Sequence, residues 1–271
     1  MRVEENKEVW DGKYHWADRG EEWSRPWGGV DYQWFGSIYP RIKEFLPVGH
    51  ILEIACGYGR MTAYLKNHAE RITAIDLSES CIQACRTRFA DCPNVSLHVT
   101  DGMSLEMVSD HSVDFVFSYD SLVHADEMVL RAYIQKLPRI LTPDGVAFLH
   151  HSNVGAYRER WAHYRRIPKL MGLLVRMGIV EQNLHWRDHG VDAAFVAHIA
   201  RDAGLNCVRQ EILRWRTRRV FNDCMTILVR PGSRFDRTPR TWRNSNFMME
   251  AELLREIAVH YGGYEVEGTP R

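Results

Sequence analysis

The residues best placed to do chemistry begin with a glycine-rich turn. The run Ile51-Leu52-Glu53-Ile54-Ala55-Cys56-Gly57-Tyr58-Gly59-Arg60 is typical of a buried strand that enters a tight turn and then a helix. Glycines in such a turn accept positive φ and let the backbone approach a ligand closely. Thr62 stands where a dinucleotide-binding loop has its third glycine, so the sequence disfavours a pyrophosphate ligand.

Further polar groups follow the next strand-like segments. Asp76 ends the second segment, and Thr100-Asp101-Gly102-Met103 follows the third. Ser118-Tyr119-Asp120-Ser121-Leu122-Val123-His124 follows the fourth, and His150-His151-Ser152-Asn153 the fifth. Because the carboxyl ends of parallel strands meet in one crevice, we expect these groups to converge.

These motifs, in this order, resemble the class I S-adenosylmethionine-dependent methyltransferases over about residues 48–151. The resemblance implies S-adenosylmethionine as the cofactor, with Asp76 accepting both ribose hydroxyls and Asp101 facing the adenine amine. A carboxylate suits a vicinal diol because it offers two acceptor oxygens. Cys56 departs from the glycine usual in this family. The expected cofactor-binding residues are Glu53, Ala55, Gly57, Gly59, Asp76, Leu77, Asp101, Gly102, Met103 and Ser118.

The elements that must position these groups alternate between strands and helices. Apolar β-rich runs predict strands at 50–55, 71–76, 95–100, 113–119, 146–151, 208–215 and 224–230. Helical spacing predicts helices at 61–68, 80–90, 126–141, 191–204 and 247–261. The pattern predicts an α/β fold: a seven-stranded, mainly parallel, doubly wound sheet with an antiparallel final hairpin. The resemblance implies the same architecture, the Rossmann-like methyltransferase fold.

The chain divides into segments around this sheet within a single methyltransferase domain. We expect an N-terminal cap at 1–45, a cofactor-binding core at 46–154 and a lid insertion at 155–190. The end of the core sheet should occupy 191–231, and a polar tail with a C-terminal helix 232–271.

Composition excludes several classes of protein. The 271 residues carry 35 basic and 35 acidic side chains, so no net charge favours nucleic acid or an anionic membrane. No apolar run approaches the roughly 20 residues of a membrane span, and the first residues lack a signal peptide, which predicts a soluble, cytoplasmic protein. The six cysteines show no Cys-x-x-Cys spacing and are interpreted as buried free thiols.

The acceptor of the methyl group depends on the base. Ser118-Tyr119-Asp120-Ser121 lacks the prolines of the Asn/Asp-Pro-Pro-Tyr/Phe motif that adenine and glutamine N-methyltransferases of this fold carry. Histidine suits the deprotonation of a hydroxyl because its pKa lies near neutrality. His124 is the first candidate base and His151 the second, with Asp120 beside them. Mg²⁺ bound by Asp120 and His151 is the alternative means of lowering the hydroxyl pKa.

Aromatic and basic residues of the cap and lid suggest a sugar as the acceptor. Aromatic faces pack on sugar rings, while Arg, Asn and His bond hydroxyls. The stretches around Asp120 and His151 also resemble bacterial methyltransferases of glycan and polysaccharide biosynthesis. The candidate acceptor-binding residues are Trp27, His150, Asn153, His185, Trp186 and Arg187. The arginine run 214–219 is interpreted as a solvated sheet edge rather than a phosphate site.

The sequence therefore predicts an O-methyltransferase acting on a sugar or oligosaccharide hydroxyl, with a histidine base. Two alternatives stay open. One is a small-molecule N-methyltransferase, which needs no base, and the other is a non-catalytic cofactor-binding subunit that docks through helix 247–261. The sequence does not decide which acceptor is methylated or whether the chain forms a homo-oligomer.

Overall fold

A computed structural model describes residues 2–159, 173–174, 176–177, 187–217 and 219–262. None of the helices in these ranges combines the length and the apolar character that crossing a bilayer requires. The six cysteines are free thiols, four of them buried.

A single sheet organises the described residues. Its strands are β1 (Val48–Ile54), β2 (Ala69–Asp76), β3 (Val95–Val99), β4 (Val113–Ser118), β5 (Leu141–Ser152), β6 (Asn206–Leu213), β7 (Asp223–Val229) and β8 (Arg240–Asn244). They lie in the order β3-β2-β1-β4-β5-β7-β6-β8. β1 to β5 are parallel, β7 runs antiparallel to both β5 and β6, and β8 pairs parallel to β6.

This topology confirms the predicted α/β fold and its antiparallel β7, with one strand more than the seven expected. The additional strand, β8, lies in the segment that we interpreted as a polar tail. Its side chains are exposed along nearly its whole length, so its sequence lacks the apolar alternation that predicts a strand. Backbone pairing with the edge of β6 is what holds it.

Helices cover both faces of the sheet. The α-helices are α1 (Val3–Glu8), α2 (Val30–Gln33), α3 (Tyr39–Ile42), α4 (Thr62–Leu65), α5 (Glu79–Arg88), α6 (Glu127–Ile140), α7 (Ala193–Asp202) and α8 (Phe247–Tyr261). α4 is shorter than the predicted helix 61–68, whereas α8 has the predicted bounds. Side-chain caps begin three of them, since Ser78, Asp126 and Asp192 each accept a backbone N–H of the first turn.

Each face of the sheet has its own apolar core. On one face α6 and α7 pack against the strands through residues such as Leu130, Ile134 and Ile199. On the other face the first 45 residues supply Trp27, Trp34 and Ile38, which pack with Phe247 of α8. The N-terminal segment therefore does more than cover the strand ends, because its second half forms the core of one face.

The strand order reverses between β1 and β4, the point where ligands bind in open α/β sheets. From β1 the chain proceeds outward to β2 and β3, and from β4 it proceeds the other way to β5. The loops after β1 and β4 diverge at this point and leave a crevice between them. The glycine turn follows β1, and the Asp120 loop follows β4.

Candidate functional site

A cavity of about 1000 Å³, including its open mouth, lies at the carboxyl ends of β1, β2 and β4. Residues of the cap form one wall, and the loops after the strands form the other. The core residues that line it include Glu53, Ala55, Gly57, Arg60, Asp76, Leu77, Gly102, Tyr119, Asp120, His124 and Tyr133. Six of the ten expected cofactor-binding residues line the cavity: Glu53, Ala55, Gly57, Asp76, Leu77 and Gly102.

The glycine turn has the backbone that its composition predicts. Ala55, Gly57 and Gly59 all have positive φ, at 59°, 55° and 77°. Gly57 lines the cavity, whereas Gly59 does not. A Cβ at position 59 would collide with the ring of Phe89, so Gly59 serves the packing of the turn against α5.

Asp76 lines the cavity at the end of β2. Its carboxylate accepts the backbone N–H of Gly57 at 2.8 Å and that of Ser78 at 2.9 Å. These bonds fix both oxygens at the edge of the turn, where each keeps a lone pair for a further donor. Burial raises the pKa of Asp76 to about 6, so the group is ionised at neutral pH.

Glu53 lies deeper under the turn and is almost fully buried. Thr62 donates its hydroxyl to Oε2 of Glu53 at 2.5 Å. Burial raises the pKa of Glu53 to about 8, so the free protein holds this carboxyl mainly protonated at neutral pH.

In the loop after β3, Gly102 lines the cavity, whereas the neighbouring Asp101 and Met103 do not. Oδ1 of Asp101 accepts the backbone N–H groups of Met103 and Ser104, at 2.8 and 2.6 Å, which stabilises the turn. Met103 packs against the apolar core. Neither side chain lines the cavity, so contacts of Asp101 and Met103 with adenine remain a prediction.

Asp120 is held in an unusual conformation at the end of β4. Its φ is 62°, which is rare for a residue with a side chain. Nη2 of Arg60 lies 3.2 Å from Oδ2 of Asp120, and the backbone N–H of Asp120 donates to Nδ1 of His150 at 3.1 Å. Burial raises the pKa of Asp120 against the opposing effect of Arg60. Ser118, expected beside the cofactor, instead donates to the carbonyl of Ile54 and ties β4 to β1.

Arg60 lines the cavity, although it was not among the site residues expected from the sequence. Its guanidinium donates to Ser24 and Gln33 of the cap, at 3.0 and 2.6 Å, as well as contacting Asp120. It therefore joins the glycine turn, the cap and the loop after β4. Its position directly after Gly-x-Gly could have indicated this role, because a polar side chain there faces the cavity.

His124 reaches the crevice and His151 does not. His124 lines the cavity, and its ring lies 5.3 Å from that of Trp10 in the cap. His151 is fully buried in β5, where one ring nitrogen contacts the Ser152 carbonyl and the other Thr226 Oγ1, both at 2.8 Å. Burial lowers the pKa of His151 to about 4. The second candidate base is therefore a structural histidine, because alternate side chains of β5 point to opposite faces.

Aromatic residues of the cap form part of the wall of the first cavity. Trp10, Trp16 and Trp23 line it, together with Asn6 of α1. The ring of Trp16 stacks on Tyr58 of the glycine turn, with centroids 4.6 Å apart and 16° between the planes. The cap thus lies directly on the loop that would hold a cofactor.

A second cavity, of about 740 Å³, adjoins the first. Trp23, Asp120 and His124 line both cavities. The other residues of the second cavity are Tyr14, Glu22, Pro26, Val123, Arg187, Trp215 and Arg216. Arg187 forms a buried bidentate pair with Asp223 through Nε and Nη2, at 2.6 and 2.9 Å.

The remaining acceptor candidates lie elsewhere. Trp27 is fully buried between Trp215 and Phe247, so it belongs to the core. Asn153 bonds the Phe221 carbonyl and the Ala193 N–H, and His150 lies behind Asp120 rather than facing the cavity. His185 and Trp186 lie outside the described residues.

The structure gives no support to a metal at Asp120 and His151. Among the described residues, no three His, Cys, Asp or Glu side chains are grouped as metal ligands would be. Asp120 contacts Arg60, and both nitrogens of His151 are occupied.

Comparison with known proteins agrees with this arrangement. Residues 51–145 match a family model described as a methyltransferase domain. Nodulation protein S from Rhizobium tropici is 25% identical over 143 residues, which are 51% of this chain and 57% of that protein. Phosphoethanolamine N-methyltransferase 1 from Triticum aestivum is 29% identical over 122 residues, 42% of this chain and 24% of that protein. The matched region thus spans less than two thirds of either relative.

Solved structures share the fold. A S-adenosylmethionine-dependent methyltransferase from Clostridium acetobutylicum superposes with a TM-score of 0.53 at 14% identity. The match covers 77% of this chain and 92% of that one. At this identity the likeness concerns the arrangement of strands and helices.

Proposed function

We propose that this chain, a class I S-adenosylmethionine-dependent methyltransferase by its fold and its matched segment, methylates a hydroxyl of a small polar acceptor. The preferred acceptor class is a sugar or oligosaccharide, and the proposed base is His124. The observation that carries the proposal is the position of His124 and Asp120 on the wall that the two cavities share.

The first cavity fits S-adenosylmethionine, the cofactor of the family. In our proposal Asp76 accepts the ribose hydroxyls and Glu53 faces the amino group of the methionine part. The bound cofactor supplies a methyl group already activated on a sulfonium. The protein is therefore required mainly to align the acceptor with that group and to remove a proton.

His124 suits the proton transfer. It stands between the two cavities, so an acceptor in the second cavity reaches it and the methyl-donor end together. Neutral imidazole accepts the hydroxyl proton as the oxygen attacks, and the arrangement needs no metal. Asp120, held by Arg60 and His150, offers a second polar contact to the acceptor.

The lining of the second cavity supports a sugar. Tyr14, Trp23 and Trp215 contribute aromatic rings to the lining, while Glu22 and Arg216 contribute a carboxylate and a guanidinium. Aromatic faces suit the C–H surface of a sugar ring, and charged side chains suit its hydroxyls.

The test is transfer of labelled methyl to mono- and oligosaccharides and to simple amines, each with Mg²⁺ and with a chelator. We expect label on a sugar oxygen, unchanged by the chelator. His124→Gln should lower kcat by about 10²- to 10⁴-fold while cofactor affinity is kept. His98→Gln, on the exposed side of β3, is the control. An effect of His124→Gln confined to KM would make His124 a binding residue.

An amine acceptor is the second candidate. The carboxylates of Glu22 and Asp120 share the second cavity with the rings of Tyr14 and Trp23, and such surroundings attract cations. The similarity to phosphoethanolamine N-methyltransferase 1 agrees with it. An amine needs no strong base, so full activity of His124→Gln on an amine would favour this candidate.

A further inference from the structure

We infer that the acceptor carries an anionic group, a carboxylate or a phosphate, which Arg216 binds at the far wall of the second cavity. The inference rests on the proposed function, because it takes this cavity as the acceptor site. It concerns the loop between β6 and β7, for which the sequence predicted only a solvated arginine edge.

Among the described residues that line the second cavity, Asp120 and Arg187 have a partner of opposite charge, whereas Glu22 and Arg216 have none. Asp120 contacts Arg60, and Arg187 pairs with Asp223. Glu22 accepts the hydroxyl of Tyr14 at 3.0 Å and the backbone N–H of Asp18 at 3.2 Å. Arg216 forms no hydrogen bond or ion pair with the residues that the structure describes, although it lines the cavity.

The loop is built to present Arg216. Its φ is 51°, a conformation that residues with a side chain seldom adopt. The preceding residue is anchored, since the N–H of Trp215 donates to Oδ1 of the fully buried Asn222 at 2.8 Å. Strained backbone that a buried anchor maintains is a recurring feature of ligand sites.

The two neighbouring arginines that the structure describes, Arg214 and Arg219, have other positions. Arg214 donates to the carbonyl of Ser245 at 3.0 Å and lies over the ring of Phe221. Arg219 is exposed and does not line the cavity. Among the described arginines of this loop, Arg216 is the one that lines the second cavity, and its planar donors match a carboxylate or a phosphate.

The test is a binding titration of the full chain that does not require turnover. Trp23 and Trp215 line the cavity, so intrinsic tryptophan fluorescence reports its occupancy. The probes are glucose 6-phosphate, glucuronate, glucose and inorganic phosphate, each with and without S-adenosylhomocysteine. We expect one or both anionic sugars to bind at least tenfold more tightly than glucose. Arg216→Gln should remove that difference, Arg216→Lys should restore part of it, and Arg219→Gln should leave it unchanged.

Equal binding of glucose and both anionic sugars, or an unchanged preference in Arg216→Gln, would overturn the inference. Inorganic phosphate that binds as tightly as glucose 6-phosphate would also overturn it, because Arg216 would then bind a free anion rather than an anionic acceptor. The proposed function fails separately: it predicts methyl transfer, and this titration requires none. Anion binding without any methyl transfer would keep the site and remove the proposed reaction.

Discussion

At the level of single residues, we propose that Glu53 couples the ionisation of the site to cofactor binding. Its pKa of about 8 means that the folded protein holds this proton more tightly than the unfolded chain. The stability that the group contributes is therefore present at low pH and is lost as the pH rises through about 8. A cationic amino group placed opposite Glu53 would reverse this preference, because it favours the carboxylate.

Cofactor binding near pH 7 should therefore release about one proton from Glu53. Isothermal titration of S-adenosylmethionine in buffers of different ionisation enthalpy measures this number directly. We expect the release to disappear above about pH 9 and in Glu53→Gln. Uptake of a proton, or a release that persists in Glu53→Gln, would remove Glu53 from the cofactor site.

Individual residues differ in how far the sequence predicted their positions. Gly57 and Asp76 were predictable because strand ends fix where the following residue lies. Asp101 and His151 reach other partners, since short polar side chains bond nearby backbone and buried histidines find donors within the sheet. Such choices depend on neighbours distant in sequence, which a local pattern does not contain.

At the level of elements, the N-terminal cap is tied to the loops that line the first cavity. Asp11 accepts hydrogen bonds from the hydroxyls of Ser78 and Ser80, directly after the Asp76 strand. Glu21 pairs with Arg88 of α5 at 2.8 Å. With the Trp16–Tyr58 stack, these contacts hold the cap on the loops that line the cavity, and we expect a bound cofactor to leave faster when they are weakened.

Asp11→Ala should speed dissociation of S-adenosylmethionine by about fivefold, because it removes hydrogen bonds worth about 1 kcal/mol. Stopped-flow tryptophan fluorescence follows the release, since Trp10, Trp16 and Trp23 line the cavity. Glu8→Ala breaks only an exposed pair with Lys13 in the same segment and should leave the rate unchanged. Equal rates in wild type and Asp11→Ala would mean that the cap does not limit release.

Strands and long helices were predictable because each carries its own period of apolar residues. The seven predicted strands and the amphipathic α6 and α7 lie within a few residues of their expected bounds. β8 and the turns of the cap were not, since their positions depend on pairing with β6 and on stacking against the glycine turn. The periodicity of apolar residues in the sequence predicts neither of these interactions.

At the scale of the whole molecule, Arg41 joins three distant parts of the chain. It lies at the end of α3 and bonds both carboxylate oxygens of Glu211 in β6 at 2.8 Å. The same guanidinium bonds Glu250 of α8, 209 residues away, at 2.8 and 2.9 Å. The C-terminal helix, the sheet and the N-terminal segment thus share one ionic centre, which local sequence patterns do not reveal.

Arg41→Ala should lower the free energy of unfolding by about 2 to 4 kcal/mol, because it leaves Glu211 buried without a cation. Urea denaturation measures the change. Arg86→Ala removes an exposed pair with Glu79 and should cost at most about 1 kcal/mol. Equal losses in the two variants would show that the Arg41 centre does not hold the elements together.

We propose that the crevice between β1 and β4 binds S-adenosylmethionine through Asp76. Calorimetric titration of the full chain with S-adenosylmethionine tests it most directly, in wild type and in Asp76→Ala. We expect saturable binding that weakens more than tenfold in the variant, because a ribose acceptor worth about 1.5 to 3 kcal/mol is lost. Unchanged affinity in Asp76→Ala, or no binding to the wild type, would contradict the account.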